Sequence, residues 1–221
     1  MTPGTVAIIV LVLTLIGYIL GKRRALQTAK RDGAKLHSLP SYYGESVALF
    51  TAVPALFLMA AWLFVQPIII EGSISGKIPD SMVPEGGAKS LVMVDVRRIS
   101  DGLGLIIARG DMSESELVDM RADLTNVRAR LAEVGVALGS DVAPAVFEAA
   151  KSYRAIDSIA SSVRNVSVIV VALGFAFWAW LQITPKMRAR NVTETFIKAL
   201  LMGSSLVAIL TTVGIVASLL F

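Results

Sequence analysis

The chain has 221 residues, 55% of them hydrophobic, with 21 Lys and Arg against 17 Asp and Glu and no cysteine. A mean hydropathy of +0.69 is too high for a soluble domain of this length, and the lack of cysteine excludes disulfides, Cys-based metal sites and thiol catalysis. The net charge of +4 comes from loops beside apolar stretches rather than from a nucleic-acid patch, and the one histidine, His37, has no partner cluster.

The first element is an apolar run over residues 2–21 that ends at Lys22-Arg23-Arg24. About 20 apolar residues suffice for an α-helix to cross the hydrocarbon of a bilayer. A cleavable signal places its basic residues before the apolar run, so the reversed order here predicts an uncleaved anchor with its N-terminus outside. Residues 22–45 carry Lys22, Arg23, Arg24, Lys30, Arg31 and Lys35 against Asp32 and Glu45. A second span follows at 46–70, with Pro54 expected to kink it or widen a turn and Gln66-Pro67 near its outer end.

Residues 71–165 hold eleven basic and fourteen acidic residues. The linker 72–87, with its Pro and Gly residues, predicts a loop. Val92, Val96, Ile99, Leu103 and Ile106 then fall at helical spacing, weakened by Gly102 and Gly104 and ended at Gly110-Asp111. Ser113 with Glu116 forms a capping box at the head of a regular seam, Leu117, Met120, Leu124, Val127, Leu131, Val134 and Leu138. Gly139-Ser140-Asp141 supplies a turn, and a second seam runs through Val142, Val146, Ala149, Tyr153, Ile156, Ala160 and Val163. Two seams joined so closely predict an antiparallel helical hairpin. No breaker separates Pro144 from Pro185. The second arm is therefore expected to run on from residue 141 to 184 through the third span, 166–183, part of it standing outside the membrane. No polar residues on the hairpin converge into a recognisable pocket.

The last loop sets Lys186, Arg188, Arg190 and Lys198 against Glu194 alone. Basic residues resist translocation, so 22–45 and 184–195 are expected in the cytoplasm and 71–165 on the exported side. Trp178 and Trp180 fall at the headgroup level of the cytoplasmic face. The fourth span, 199–221, carries Gly203-Ser204-Ser205, Thr211-Thr212, Gly214 and Ser218, small residues that let a second helix approach closely. Ionisable residues in spans usually mark a transport path, and these spans carry none beyond interfacial Lys198. Phosphate loops, carboxylate pairs and nucleophile–base arrangements are likewise missing from the sequence. No catalytic, cofactor-binding or metal residue is assigned, and substrate-binding residues stay unassigned.

Three strings carry a family resemblance. LPSYYGESVALFTAVPALFLMAAWLF, residues 39–64, resembles the opening segment of the long form of the PstC-type permease subunit of bacterial phosphate ABC transporters. RARNVTETFIKALLMGSSLVAILTTVGIVASLLF, residues 188–221, is similar to the first helix of that family's permease core, and AKSYRAIDSIASSVRNV, 150–166, resembles the extension that long members carry. The resemblance implies a multi-pass protein of the bacterial inner membrane that imports inorganic phosphate and is not an enzyme. Its implied partners are a second permease subunit of PstA type, cytoplasmic ATPase subunits and a periplasmic phosphate-binding protein, with no nucleic acid. It also implies further core helices and a coupling loop beyond Phe221, so the chain is expected to be a truncated product or an accessory half. The alternative is a membrane sensor or scaffold whose exported hairpin binds a partner.

The expected fold is an all-α membrane protein of four transmembrane helices, with a periplasmic helical hairpin continuing from the third span. Its regions are 1–70 (spans 2–21 and 46–70), 71–165, the periplasmic helical domain, and 166–221 (spans 166–183 and 199–221).

Overall fold

A computed structural model describes residues 1–76, 78, 89–120, 127–135 and 143–220. Every regular element among them is α-helical: α1 (Pro3–Arg31), α2 (Pro40–Ser75), α3 (Lys89–Arg109), α4 (Glu114–Asp119), α5 (Val127–Glu133), α6 (Pro144–Leu181) and α7 (Ala189–Leu220). The helices α1, α2, α6 and α7 are each long and apolar enough to cross a membrane. They are the four spans the sequence predicts. Two compact units result, one of Met1–Met59 with Asn165–Phe221 and the other of Ala60–Arg164.

In the first unit, Thr2 caps α1 by accepting from the Thr5 amide, and Pro3 takes the first turn, where its missing N–H is no loss. The helix outlasts the apolar run by ten residues, so Lys22–Arg31 are helical, and Gly33, at φ 60°, turns the chain after it. Helix α1 meets α2 through backbone rather than through large side chains. A Cβ on Gly44 would lie 2.6 Å from the Tyr18 carbonyl oxygen, and one on Gly21 would lie 2.9 Å from Val47 Cγ2 and 3.0 Å from the Tyr43 carbonyl oxygen. Gly17, one turn from Gly21, faces Val47 and Thr51. Gly17-Tyr18-Ile19-Leu20-Gly21 is thus a G-x-x-x-G face that brings two helices close where lipid supplies no hydrophobic drive. Val6, Val10, Ala55, Val168 and Ala172 close one end of this unit, while Ala25, Tyr43, Val47, Ala179, Ile183 and Ala189 close the other.

The helix α2 passes Pro54 and Pro67 without a break and extends to Ser75, so residues 72–75, expected as linker, are helical. Among 72–87, only Gly76 and Ile78 are described besides this last turn.

The second unit is built around large aliphatic side chains. Val92, Val96, Ile99, Leu103 and Ile106 of α3 are all buried, with Ile70, Ile74, Leu117, Met120, Leu131, Val134, Phe147, Ala150 and Tyr153. Gly104 in α3 leaves room for the Arg154 guanidinium, 2.8 Å from where its Cβ would stand, and Arg154 Nη2 meets Glu114 Oε1 at 2.6 Å. The Ser113–Glu116 capping box forms as the spacing predicts.

The seam that follows it is not one helix. α4 stops at Asp119, and Met120 is extended at φ −71°, ψ 133°, its carbonyl accepting from Lys151 Nζ at 3.1 Å. Leu117 of α4, Leu131 of α5, and Met120 and Val134 just after them join a core shared with α2, α3 and α6. Leu124, Leu138, Gly139-Ser140-Asp141 and Val142 lie outside the described residues. The second seam drifts as well. Ala149 and Tyr153 are buried, but Ile156 and Val163 are exposed, because Asp157, Ser161 and Arg164 occupy the inward stripe instead. At 38 residues, α6 is about 57 Å long at 1.5 Å per residue.

The close approach at Gly44 should make it intolerant of a single methyl. Gly44→Ala is expected to destabilise by about 1–3 kcal/mol through overpacking. Gly72→Ala, with nothing within 4 Å, should instead gain about 0.4–1 kcal/mol from reduced chain entropy. Thermal unfolding of the detergent-purified variants checks both signs.

Candidate functional site

Three groupings could serve function: a polar network in the second unit, the loop end of the first unit, and the surface of α7.

The network starts from spacing. Asp157, Ser161 and Arg164 follow at intervals of four and three, which places them on one face of α6. That face meets Gln66 of α2. The Gln66 amide donates to Asp157 Oδ1 at 2.6 Å and to Ser161 Oγ at 3.2 Å, and its oxygen accepts from Arg164 Nη1 at 3.3 Å. Gln66 is 8% exposed and Arg164 4%. Nearby, Arg97 meets Glu71 at 2.9 Å. Protein packed around the Asp101 carboxyl withdraws water from it, and the charge of Asp157 adds repulsion that Arg97 only partly offsets, so its pKa lies above the ordinary aspartate value. The polar groups of this face satisfy one another and Gln66. A mutually bonded set of this kind locks α2 to α6 and fixes their register.

At the loop end of the first unit, the two basic loops are tied together. The Tyr43 hydroxyl, buried, donates to the Met187 carbonyl at 2.9 Å. The His37 amide donates to the Pro185 carbonyl at 3.2 Å, and the Arg190 amide to Ser38 Oγ at 3.3 Å. Phe50 sets its ring edge-on to Trp178 and to Phe196, at 5.3 and 5.0 Å. Arg24 stacks over Trp180 at 3.7 Å. The basic end of α1, the two connecting loops and the start of α7, which together carry the positive charge outside 71–165, therefore share one end of the unit. Among the described residues, no group of three His, Asp or Glu side chains is arranged to hold a metal.

α7 differs from every other helix. Only Ala189 and Thr193 are buried, and from Ile197 to Leu220 every residue is exposed. Its hydroxyls turn back on their own helix, Ser204 to Leu200 at 3.0 Å, Thr211 to Val207 at 2.8 Å, Thr212 to Ala208 at 2.9 Å and Ser218 to Ile215 at 3.1 Å. Gly203 and Gly214 have nothing within 4 Å of a built Cβ. At 100° per residue, Gly203, Thr211, Gly214 and Ser218 fall within an arc of about 80°. Ser204 lies just beside it. The helix thus offers a smooth stripe of small residues, internally satisfied and open along its length.

Residues 7–177 match a family model described as a phosphate ATP-binding cassette transporter. The chain belongs to that family. Neither a curated protein nor a solved structure matches it. The matched range takes in nearly all of α1, the whole of α2 to α5 and most of α6, and stops short of α7. With four helices able to span a bilayer, this family member is a membrane protein.

The small residues of α7 were legible as a candidate surface. The G-x-x-x-G face of α1 and the Gln66 network were not recognised, although both carried a signal: glycines four apart in an apolar run, and polar residues at helical spacing inside an apolar seam.

Removing the hub of the network tests its role. Gln66→Leu leaves Asp157 and Arg164 each short of one partner, and the expected loss is about 1–3 kcal/mol, measured by thermal unfolding. Ile159→Ala on the same helix, 66% exposed, should stay within about 0.5 kcal/mol.

Proposed function

We propose that the chain is the N-terminal part of a PstC-type permease subunit of an ABC importer of inorganic phosphate in the bacterial inner membrane. In this reading the N-terminus and residues 71–165 face the periplasm, the basic loops face the cytoplasm, and α7 packs against further permease helices. The observation that carries it is the open small-residue stripe of α7 in a chain of this family. A helix with Gly203, Thr211, Gly214 and Ser218 on one face gains packing energy only when another helix lies along it, and the described residues leave that stripe exposed from Gly203 to Ser218. The basic loops support the sidedness, since Lys and Arg near span ends hold their loops in the cytoplasm. The partners that follow are a PstA-type second permease subunit, the ATPase subunits and a periplasmic phosphate-binding protein. No transport path is closed by four helices of which one is uncovered, so phosphate moves only in the assembled complex.

Two experiments test this. Single cysteines are informative because the chain has none of its own. An impermeant thiol reagent added to intact cells should label Asp95→Cys and leave Lys30→Cys unlabelled until the membrane is broken; the reverse pattern inverts the topology. Co-expressed with a PstA-type subunit, the chain should co-purify with it, and Gly203→Leu with Gly214→Leu should reduce recovery several-fold. Cells lacking their own importer should take up no phosphate with residues 1–221 alone; ATP-driven uptake there would overturn the proposal.

A further inference from the structure

The loop end of the first unit holds two adjoining hollows that share a wall. One is an open groove of about 340 Å³ between α1, α2 and α6, walled by Leu13, Gly17, Leu20, Leu173 and Phe177 and ending at Trp180. The other is an open hollow of about 480 Å³ that shares Trp180 with the groove and has a mixed lining, in which Arg24, Gln27, Thr28, Arg31 and Asp32 stand with Ile183 and Pro185. The groove presents no charged side chain, while the cavity presents two guanidinium groups, one of them engaged by Asp32 through its Nε at 3.2 Å. Among the described residues, Arg24 has no carboxylate opposite it. Its guanidinium lies over the Trp180 ring at 3.7 Å, and its Nε is buried with no hydrogen-bond partner.

A buried donor without a partner on a charged group is costly, and an anion at the open edge of the guanidinium would offset that cost. The two hollows together match one kind of molecule, which is apolar along its length and anionic at its end. We propose that this is a binding site for an anionic phospholipid. One acyl chain lies in the groove beside Gly17, and the headgroup phosphate accepts hydrogen bonds from Arg24 and Arg31, with Trp180 at the boundary between them. Basic pockets between spans take anionic headgroups in this way, and the indole favours the same depth. The groove selects a lipid over free phosphate, which has nothing to place there. The inference does not depend on what the assembled complex transports.

The full chain carrying Trp62→Phe and Trp178→Phe retains Trp180 as its one indole. Reconstituted in mixed bilayers, it should be quenched more by brominated phosphatidylglycerol than by brominated phosphatidylcholine at equal mole fraction. Arg24→Gln and Arg31→Gln should each cut that preference about five-fold, as expected for one basic residue near anionic lipid, and Lys30→Gln, outside the cavity on the same helix, should preserve it. Quenching by brominated phosphatidylcholine in each variant reports that the groove is intact. Equal quenching by the two lipids in the unaltered site would overturn the proposal. So would an equal loss in Lys30→Gln, which marks general surface charge, or relief of quenching by millimolar inorganic phosphate, which marks a free-anion site.

Discussion

Hydrocarbon offers no hydrogen-bond partner to a peptide group, and each one left open there costs several kcal/mol. The spans of this protein follow from that constraint. All four are unbroken helices, even through Pro54 and Pro67, and their hydroxyls turn inward in the same way. Thr14 donates to Val10, Thr51 to Val47 and Thr211 to Val207, at 2.8, 2.7 and 2.8 Å. Charge is held to the ends, where Arg24 lays its stem along the helix and its guanidinium on an indole.

The two units are held together by different physics. In the first, α1 and α2 approach until a single added methyl would strike backbone at Gly44. Lipid tails are as apolar as leucine, so contact area brings little by itself, and close dispersion contact takes its place. In the second unit the core is made of Ile99, Leu103, Leu131 and Phe147, bulky side chains of the kind that exclusion from water drives together. Between these two modes stands the Gln66 network, in which polar partners fix a register that apolar contacts would leave free to slide.

The spans, the capping box at Ser113 and the buried stripe of α3 were all legible in the sequence, because each rests on local periodicity or on a short-range bond. The break at Met120 was not. Leu117, Met120, Leu131 and Val134 keep heptad spacing whether they sit on one helix or two, and the choice depends on what surrounds them: α3, the end of α2 and Lys151. Ile156 and Val163 mislead for the related reason that an apolar residue at the right spacing can still face outward when Asp157 and Arg164 have partners within. The sites were less legible than the fold. The stripe on α7 shows in composition, but the hollow beside Trp180 depends on Arg24 reaching α6 across the chain, and no local pattern records that pairing.

The glycine contact between α1 and α2 also bears on the order of events during synthesis. Both helices of that pair are complete by Ser75, long before Val168 and Ala172 arrive to finish the cluster around Val6 and Val10. At ribosomal speeds of about 5–20 residues per second, the pair waits on the order of ten seconds without its third neighbour. An interface that relied on α6 could not hold through that interval. One that relies on Gly17, Gly21 and Gly44 is self-sufficient from the moment the second helix enters the membrane, and it presents the later helices with a template already set.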